Sequence, residues 1–204
     1  MLRRWKYVIA NPLADVEDLK EMEPDTKFYT EKEIQVILKG SKGMWYDMFF
    51  ISINTGCRGN ELLSLKWNQN FDFNTRMVII QAPKTKKIRY IPMTDALHAH
   101  LLKMKAKSKH DNVVCFPDGR QPDKDETTKH WAWWLTKWKI KKKGLSFRNT
   151  RHTCATHLRA QGVDIAKIAD ILGHSSLAMT KRYAKMSQDK LREAMGKIGY
   201  GKLP

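Results

Sequence analysis

Residues 148–183 read RNTRHTCATHLRAQGVDIAKIADILGHSSLAMTKRY, and the punctuation of this stretch decides how the chain is built. A helical pattern runs from Asn149 to Ala160 and is closed by Gly162, and a second runs from Asp164 to Leu172 and is closed by Gly173. Glycine ends helices because it takes the left-handed conformation without a Cβ penalty. Further helical patterns cover Ser175 to Ala184 and Gln188 to Met195. Arg151 and His152 begin the first helix, His174 follows the glycine that closes the second, and Tyr183 stands nine residues beyond His174. Strong phosphate ligands therefore sit at helix ends, where rigid backbone can aim them.

Upstream, Asp125 to about Lys143 reads as a helix carrying Trp131, Trp134 and Trp138 at i, i+3 and i+7, a stripe that belongs to a core. Val113 to Phe116 is a short apolar run before the Pro117-Asp118-Gly119 turn, and Thr94 opens a helix through Leu101 and Leu102. Two β-rich runs, Arg76 to Gln81 and Lys87 to Ile91, flank Ala82-Pro83-Lys84-Thr85-Lys86 and predict a hairpin with a basic tip. Before them, a helix from Met44 to about Asn54 is closed by Gly56, and another carries Glu61, Leu62, Leu63 and Leu65 up to Trp67. Thr30 and Glu33 form a capping box ahead of Ile34, Ile37 and Leu38, with Gly40 closing that helix. Residues 1–28 read as a helix end followed by a linker, with Asn11-Pro12 as the break. The expected class is mostly α with a small antiparallel β-sheet (α+β).

Charge narrows the function. The 204 residues carry 38 basic and 21 acidic side chains, a net +17 at pH 7, while 42% hydrophobic content supports a real core. Basic residues spread along the whole chain repel one another unless a polyanion is the partner, which points to nucleic acid. Lys86, Lys87 and Arg89 on the hairpin, and Lys137, Lys139 and Lys141 beside Trp133, are the expected DNA contacts. Cys57, Cys115 and Cys154 are too far apart in sequence for a CxxC pair, which supports neither a disulfide framework nor a zinc site. The most apolar stretch, Met44 to Ile53, contains Asp47 and falls short of a bilayer span. A soluble protein of a reducing, cytoplasmic compartment is expected.

Four motifs in order resemble the tyrosine recombinase (phage integrase) family. Thr55-Gly56-x-Arg58-x-x-Glu61-Leu62-x-x-Leu65 is similar to its first arginine box, and Arg151-His152-Thr153 followed by Gly162 to its second. Leu172-Gly173-His174-Ser175-Ser176 with Tyr183 resembles its nucleophile segment, and Lys84, eight residues before Pro92, matches its catalytic lysine. The likeness covers roughly residues 25 to 185. It implies a catalytic domain over 29–185, a preceding linker (1–28) that follows a core-binding domain, and a helical tail (186–204) that packs on a neighbouring protomer.

The implied chemistry is attack of the Tyr183 hydroxyl on a DNA phosphodiester, giving a 3′-phosphotyrosine and a free 5′-hydroxyl that later reverses the step. No metal or other cofactor is needed, because Arg58 and Arg151 offer planar, permanently charged forks to the nonbridging oxygens. His174 donates to the same oxygens, Lys84 is the candidate acid for the leaving 5′-oxygen, and Glu61 orients a neighbouring side chain, with His152 in support. Lys86 and Lys87 compete with Lys84 for the acid's role. Arg148 stands three residues before Arg151, where the family most often has a histidine; an arginine there holds phosphate but accepts no proton. The resemblance further implies double-stranded DNA as partner, four protomers on two sites, and a bacterial or phage source for a mobile DNA element; it leaves open whether the isolated chain is monomeric. Two other readings remain: a type IB topoisomerase, which uses similar residues but reseals the same strand, and a DNA-binding helix-turn-helix over Val163 to Tyr183 without chemistry.

Overall fold

The structure is a computed structural model that describes residues 27–83, 86–140, 144–173 and 195–197. Helix α1 (Glu31–Gly40) starts at the anticipated capping box: Thr30 Oγ1 accepts the Glu33 N–H at 3.3 Å while the Glu33 carboxylate accepts the Thr30 N–H at 2.7 Å. Helix α2 (Met44–Thr55) is buried at every residue from Met48 to Thr55. A helix apolar on all sides has no face for solvent and takes the centre of the domain. Of its polar side chains, Asn54 donates through Nδ2 to the Phe50 carbonyl and Thr55 through Oγ1 to that of Ile51, Ser52 shares a 2.7 Å hydrogen bond with Thr150 on a distant helix, and Asn54 Oδ1 is buried without a partner among the described residues.

Gly56 ends α2 in the left-handed region at φ 63°, and a Cβ there would lie 2.6 Å from Leu172 Cδ2. Both the dihedral and the close approach demand glycine. The turn leads into α3 (Gly59–Leu63), then strands β1 (Phe71–Asp72), β2 (Met77–Gln81) and β3 (Ile88–Pro92), an antiparallel sheet in the order β1-β2-β3. Val78 pairs with Ile91 and Ile80 with Arg89, which gathers these four residues on the inward face and leaves Ile88 and Tyr90 exposed. Helix α4 (Asp95–Lys107), capped by Thr94, and α5 (Lys124–Lys137), capped by an Asp123–Glu126 box, follow. Helices α6 (Asn149–Ala160) and α7 (Ile165–Leu172) close the described domain, α6 packing on α2 and α7 on β3.

One continuous apolar cluster joins α1, α2, the sheet, α4, α5, α6 and α7, and it includes Trp131, with Trp138 packed against it, as the tryptophan stripe requires. Met195 is buried in this same cluster. The mostly helical class with a small antiparallel sheet holds. No helix among the described residues is long and apolar enough to cross a membrane.

Local boundaries differ in three places. Helix α3 stops at Leu63 instead of running to Trp67, because residues 65–67 are drawn into pairing with 111–113: the Val113 N–H donates to the Leu65 carbonyl and the Trp67 N–H to that of Asp111. Helix α5 ends at Lys137, not Lys143, because Lys139 turns into the left-handed region at φ 57°. Strand β1 carries no sequence signal of its own; two residues long, it exists through its pairing with β2 and the Asp72 turn, whose carboxylate accepts the Asn74 and Thr75 N–H groups. The helical patterns at 175–184 and 188–194 and the arm at 1–26 lie outside the described residues.

Candidate active site

The left-handed turn at Gly56 sets Arg58 as the residue that precedes α3, in extended conformation at φ −74°, ψ 152°. Its side chain is half exposed, with Nη1 donating to Glu61 Oε1 at 3.1 Å. Glu61, one helical turn on, is 1% exposed, a burial that a lone carboxylate does not tolerate without partners. It has four: besides Arg58 Nη1, its Oε2 accepts the Arg58 backbone N–H at 2.8 Å, and both its oxygens accept the guanidinium of Arg89, at 3.1 and 2.6 Å. Burial pushes the Glu61 carboxyl up, but the hydrogen bonds from Arg89 and from Arg58 outweigh it and hold it below the ordinary carboxylate range.

Arg151 enters from the first turn of α6. It is 9% exposed; Nη1 donates to the Gly56 carbonyl at 2.9 Å, and Nη2 is buried with no partner among the described residues. Burial first, then repulsion from Arg58 and Arg89, pulls its guanidinium down to about 10. Three arginines thus line a wall around one buried carboxylate, Arg58 and Arg89 bonded to it and Arg151 close enough to feel its charge. Such a wall carries surplus positive charge and an unspent hydrogen-bond donor, the electrostatic shape of an anion site.

His152 is exposed beside Arg151, and partial desolvation, then the charges of Arg148 and Arg151, hold its imidazole below the usual value. Arg148 precedes α6 in helical conformation with an exposed side chain. The thiols of Cys57 and Cys154 are buried, pushed up to about 11 and about 12, so neither is a nucleophile near neutrality. Among the described residues no cluster of three or more His, Cys, Asp or Glu side chains is placed to hold a metal ion.

The site residues expected from sequence are brought together in part. Arg58, Glu61 and Arg151 converge, with Arg148 and His152 at the rim formed by the start of α6. Lys84, Lys141, His174 and Tyr183 lie outside the described residues. Lys86, at φ 56°, and Lys87 are exposed at the hairpin end, and Lys139 is exposed beyond α5. Lys137 Nζ lies 5.0 Å from the ring of Trp133, which is 54% exposed, so cation and aromatic face share one patch. Arg89 departs from the expectation of a surface phosphate contact: its side chain is 10% exposed and is spent on Glu61. The signal was present in the strand period, since Arg89 alternates with the exposed Ile88 and Tyr90 and shares its face with Ile91.

Residues 27–190 match the family model described as the phage integrase family. Tyrosine recombinase XerA of Pyrococcus horikoshii is 30% identical over 174 residues, covering 84% of this chain and 61% of that protein. The integrase of Escherichia phage P2 is 29% identical over 185 residues, covering 91% of this chain and 50% of its own. The Tn1549 transposon integrase, solved in complex with a circular intermediate DNA, superposes with a TM-score of 0.69 at 21% identity over 95% of this chain and 73% of its own. The chain therefore spans between half and about three-fifths of the length of these two curated relatives.

Proposed function

Because the chain belongs to the phage integrase family, we propose that it is the catalytic unit of a tyrosine-type site-specific recombinase, cutting and rejoining DNA strands to integrate or excise a mobile DNA element. The Tyr183 oxygen attacks the phosphorus of a phosphodiester as its phenolic proton passes to water; the bond to the 5′-oxygen breaks, and that oxygen takes a proton from the hairpin lysine. The product is a 3′-phosphotyrosine. A 5′-hydroxyl from the partner strand then attacks the same phosphorus and releases the tyrosine, so the bond energy is conserved and no nucleotide cofactor enters. Arg58 and Arg151 clamp the nonbridging oxygens as negative charge builds on them, and His174 adds a donor. Arg148 serves as a phosphate ligand at the rim. Four protomers on two DNA sites carry out the full exchange.

The observation that carries this reading is the buried Arg151 Nη2, unpartnered among the described residues, beside the half-exposed Arg58. Contacts to the DNA backbone by Lys86, Lys87, Lys137, Lys139 and Lys141 supply affinity, which makes binding salt-sensitive: between about 50 and 200 mM salt it falls by orders of magnitude if several phosphates are held. The test is covalent trapping. The chain and its Tyr183→Phe variant are incubated with nicked duplexes carrying the ends of the DNA element that encodes it, and a denaturant-resistant protein–DNA band is sought. A band with the wild type that is lost in the variant supports the reading. Intact binding with no band, or a band that survives Tyr183→Phe, refutes it.

A further inference from the structure

We propose that Arg89 is a positioning residue of the reaction: from the inward face of β3 it fixes the Glu61 carboxylate, and through it the Arg58 guanidinium, without touching DNA itself. The inference rests on the reading that Arg58 holds the reacting phosphate. Its ground is the way one carboxylate is divided. Oε1 accepts both Arg89 Nη1 and Arg58 Nη1 at 3.1 Å, and Oε2 accepts Arg89 Nη2 at 2.6 Å and the Arg58 N–H at 2.8 Å. The two-pronged grip of Arg89 sets the plane of the carboxylate, and that plane sets where Arg58 can lie.

Exposure separates the two arginines. Arg58 is 48% exposed and has charge to offer a ligand, whereas Arg89, at 10%, is largely withdrawn from solvent. The end of α7 closes over it: a Cβ on Gly173 would lie 3.1 Å from both Arg89 Cδ and Arg89 Nη1. Arg89 Nε is buried without a partner among the described residues, a cost that an apolar side chain filling the same space would avoid. What the arginine supplies and a methionine does not is the fork on Glu61. A lysine at this position keeps the charge but grips only one point. Arg89 also belongs to the strand that leads out of the basic hairpin, so it ties the hairpin's root to the first arginine box.

The experiment uses the whole chain as wild type, Arg89→Met, Arg89→Lys, Glu61→Gln and the double variant Glu61→Gln/Arg89→Met. Four quantities are read: the single-turnover rate of covalent complex formation at saturating nicked duplex, the gel-shift affinity for the same duplex, the melting temperature, and the pH profile of the rate. Arg89→Met is expected to slow the rate roughly 10- to 100-fold, the usual penalty of a misplaced charged group. Its affinity should stay within about twofold, because no phosphate contact is lost. The profile adds a readout that simple packing would not move. The charged or titratable groups facing Glu61 among the described residues are Arg58, Arg89, Arg151 and the Cys57 thiol. Without Arg89 the burial of Glu61 dominates, its carboxyl protonates at higher pH, and the acid limb of the rate should move upward. The double variant should lack that limb and be no slower than the slower single variant.

A wild-type rate in Arg89→Met with only a lowered melting temperature overturns the inference, as does weakened affinity with an unchanged rate at saturation, which would make Arg89 a DNA ligand. Should Arg89→Met not fold, Arg89→Lys decides: a slowed rate with unchanged affinity supports the inference and a wild-type rate refutes it. No covalent band from the wild type refutes the recombinase reading and this inference with it. A normal band in every Arg89 variant refutes the inference alone.

Discussion

Replacing Arg151 by methionine should abolish cleavage and yet stabilise the fold. The Arg151 guanidinium is pulled from an ordinary value of 12.5 to about 10, by burial first and by Arg58 and Arg89 next. A difference of that size corresponds to about 3 kcal/mol by which the folded state disfavours the charge. The sign follows from linkage: the group is charged in both folded and unfolded chains at neutral pH, and its folded value is the lower one, so folding carries this cost at every pH below about 10. Methionine removes it and also removes the bond from Nη1 to the Gly56 carbonyl, worth about 1.5–3 kcal/mol for a charged donor. A net gain of about 1 kcal/mol remains, or roughly 2–4 °C in melting temperature for a domain of this size. Thermal melts followed by circular dichroism at pH 5, 7 and 9 should show the same gain throughout. Millimolar inorganic pyrophosphate supplies the complementary arm: bound at ten times its Kd it stabilises the wild type by about 1.4 kcal/mol, and the variant should lose that effect. A variant that melts well below the wild type, or that pyrophosphate stabilises equally, would refute the claim that Arg151 is held under strain for an anion.

Glu61→Gln leaves Arg89 buried beside an uncharged amide and should cost about 3 kcal/mol, near 6–12 °C, at pH 7. Because the Glu61 carboxyl is held below its unfolded value, its contribution is complete above the ordinary carboxylate range and disappears as the pH falls through the folded value. The gap between wild type and variant should therefore narrow in melts below about pH 4. Gly56→Ala puts a Cβ at φ 63° and 2.6 Å from Leu172 Cδ2, and urea unfolding should report a loss of about 2–3 kcal/mol. Thr30→Ala removes the side-chain half of the α1 capping box and none of the hydrogen bonds of the arginine site; it should lower stability by about 1 kcal/mol with an unchanged covalent-trapping rate.

Local signals in this chain were legible where the physics is local. The Thr30–Glu33 box, Thr94 before α4, and Gly56 and Gly173 at φ 63° and 67° mark element ends, because a cap and a left-handed glycine depend on the dihedrals and hydrogen bonds of a few adjacent residues. The motif order pointed to the site for the same reason: Arg58 with Glu61, and Arg148 with Arg151 and His152, are each pairs or triplets within one turn. The early stop of α3 was not legible, since what ends it is pairing with residues 111–113 across the chain. Lys139 ends α5 in a left-handed conformation that lysine seldom adopts.

By itself, then, the sequence determined the mostly helical class, the hairpin, the helix limits set by caps and glycines, the surplus of positive charge and the family of motifs. The tertiary structure decided who meets whom. Arg151 reaches the Gly56 carbonyl across 95 residues and Arg89 reaches Glu61 across 28, and these contacts sort cations of identical composition into different roles. One arginine is spent on a buried carboxylate, one is half free, and one holds a donor with no partner among the described residues. Net charge and spacing cannot make that distinction, because desolvation depends on what the folded chain stacks over each group, and that is fixed only when α6, α7 and β3 close on the turn that begins α3.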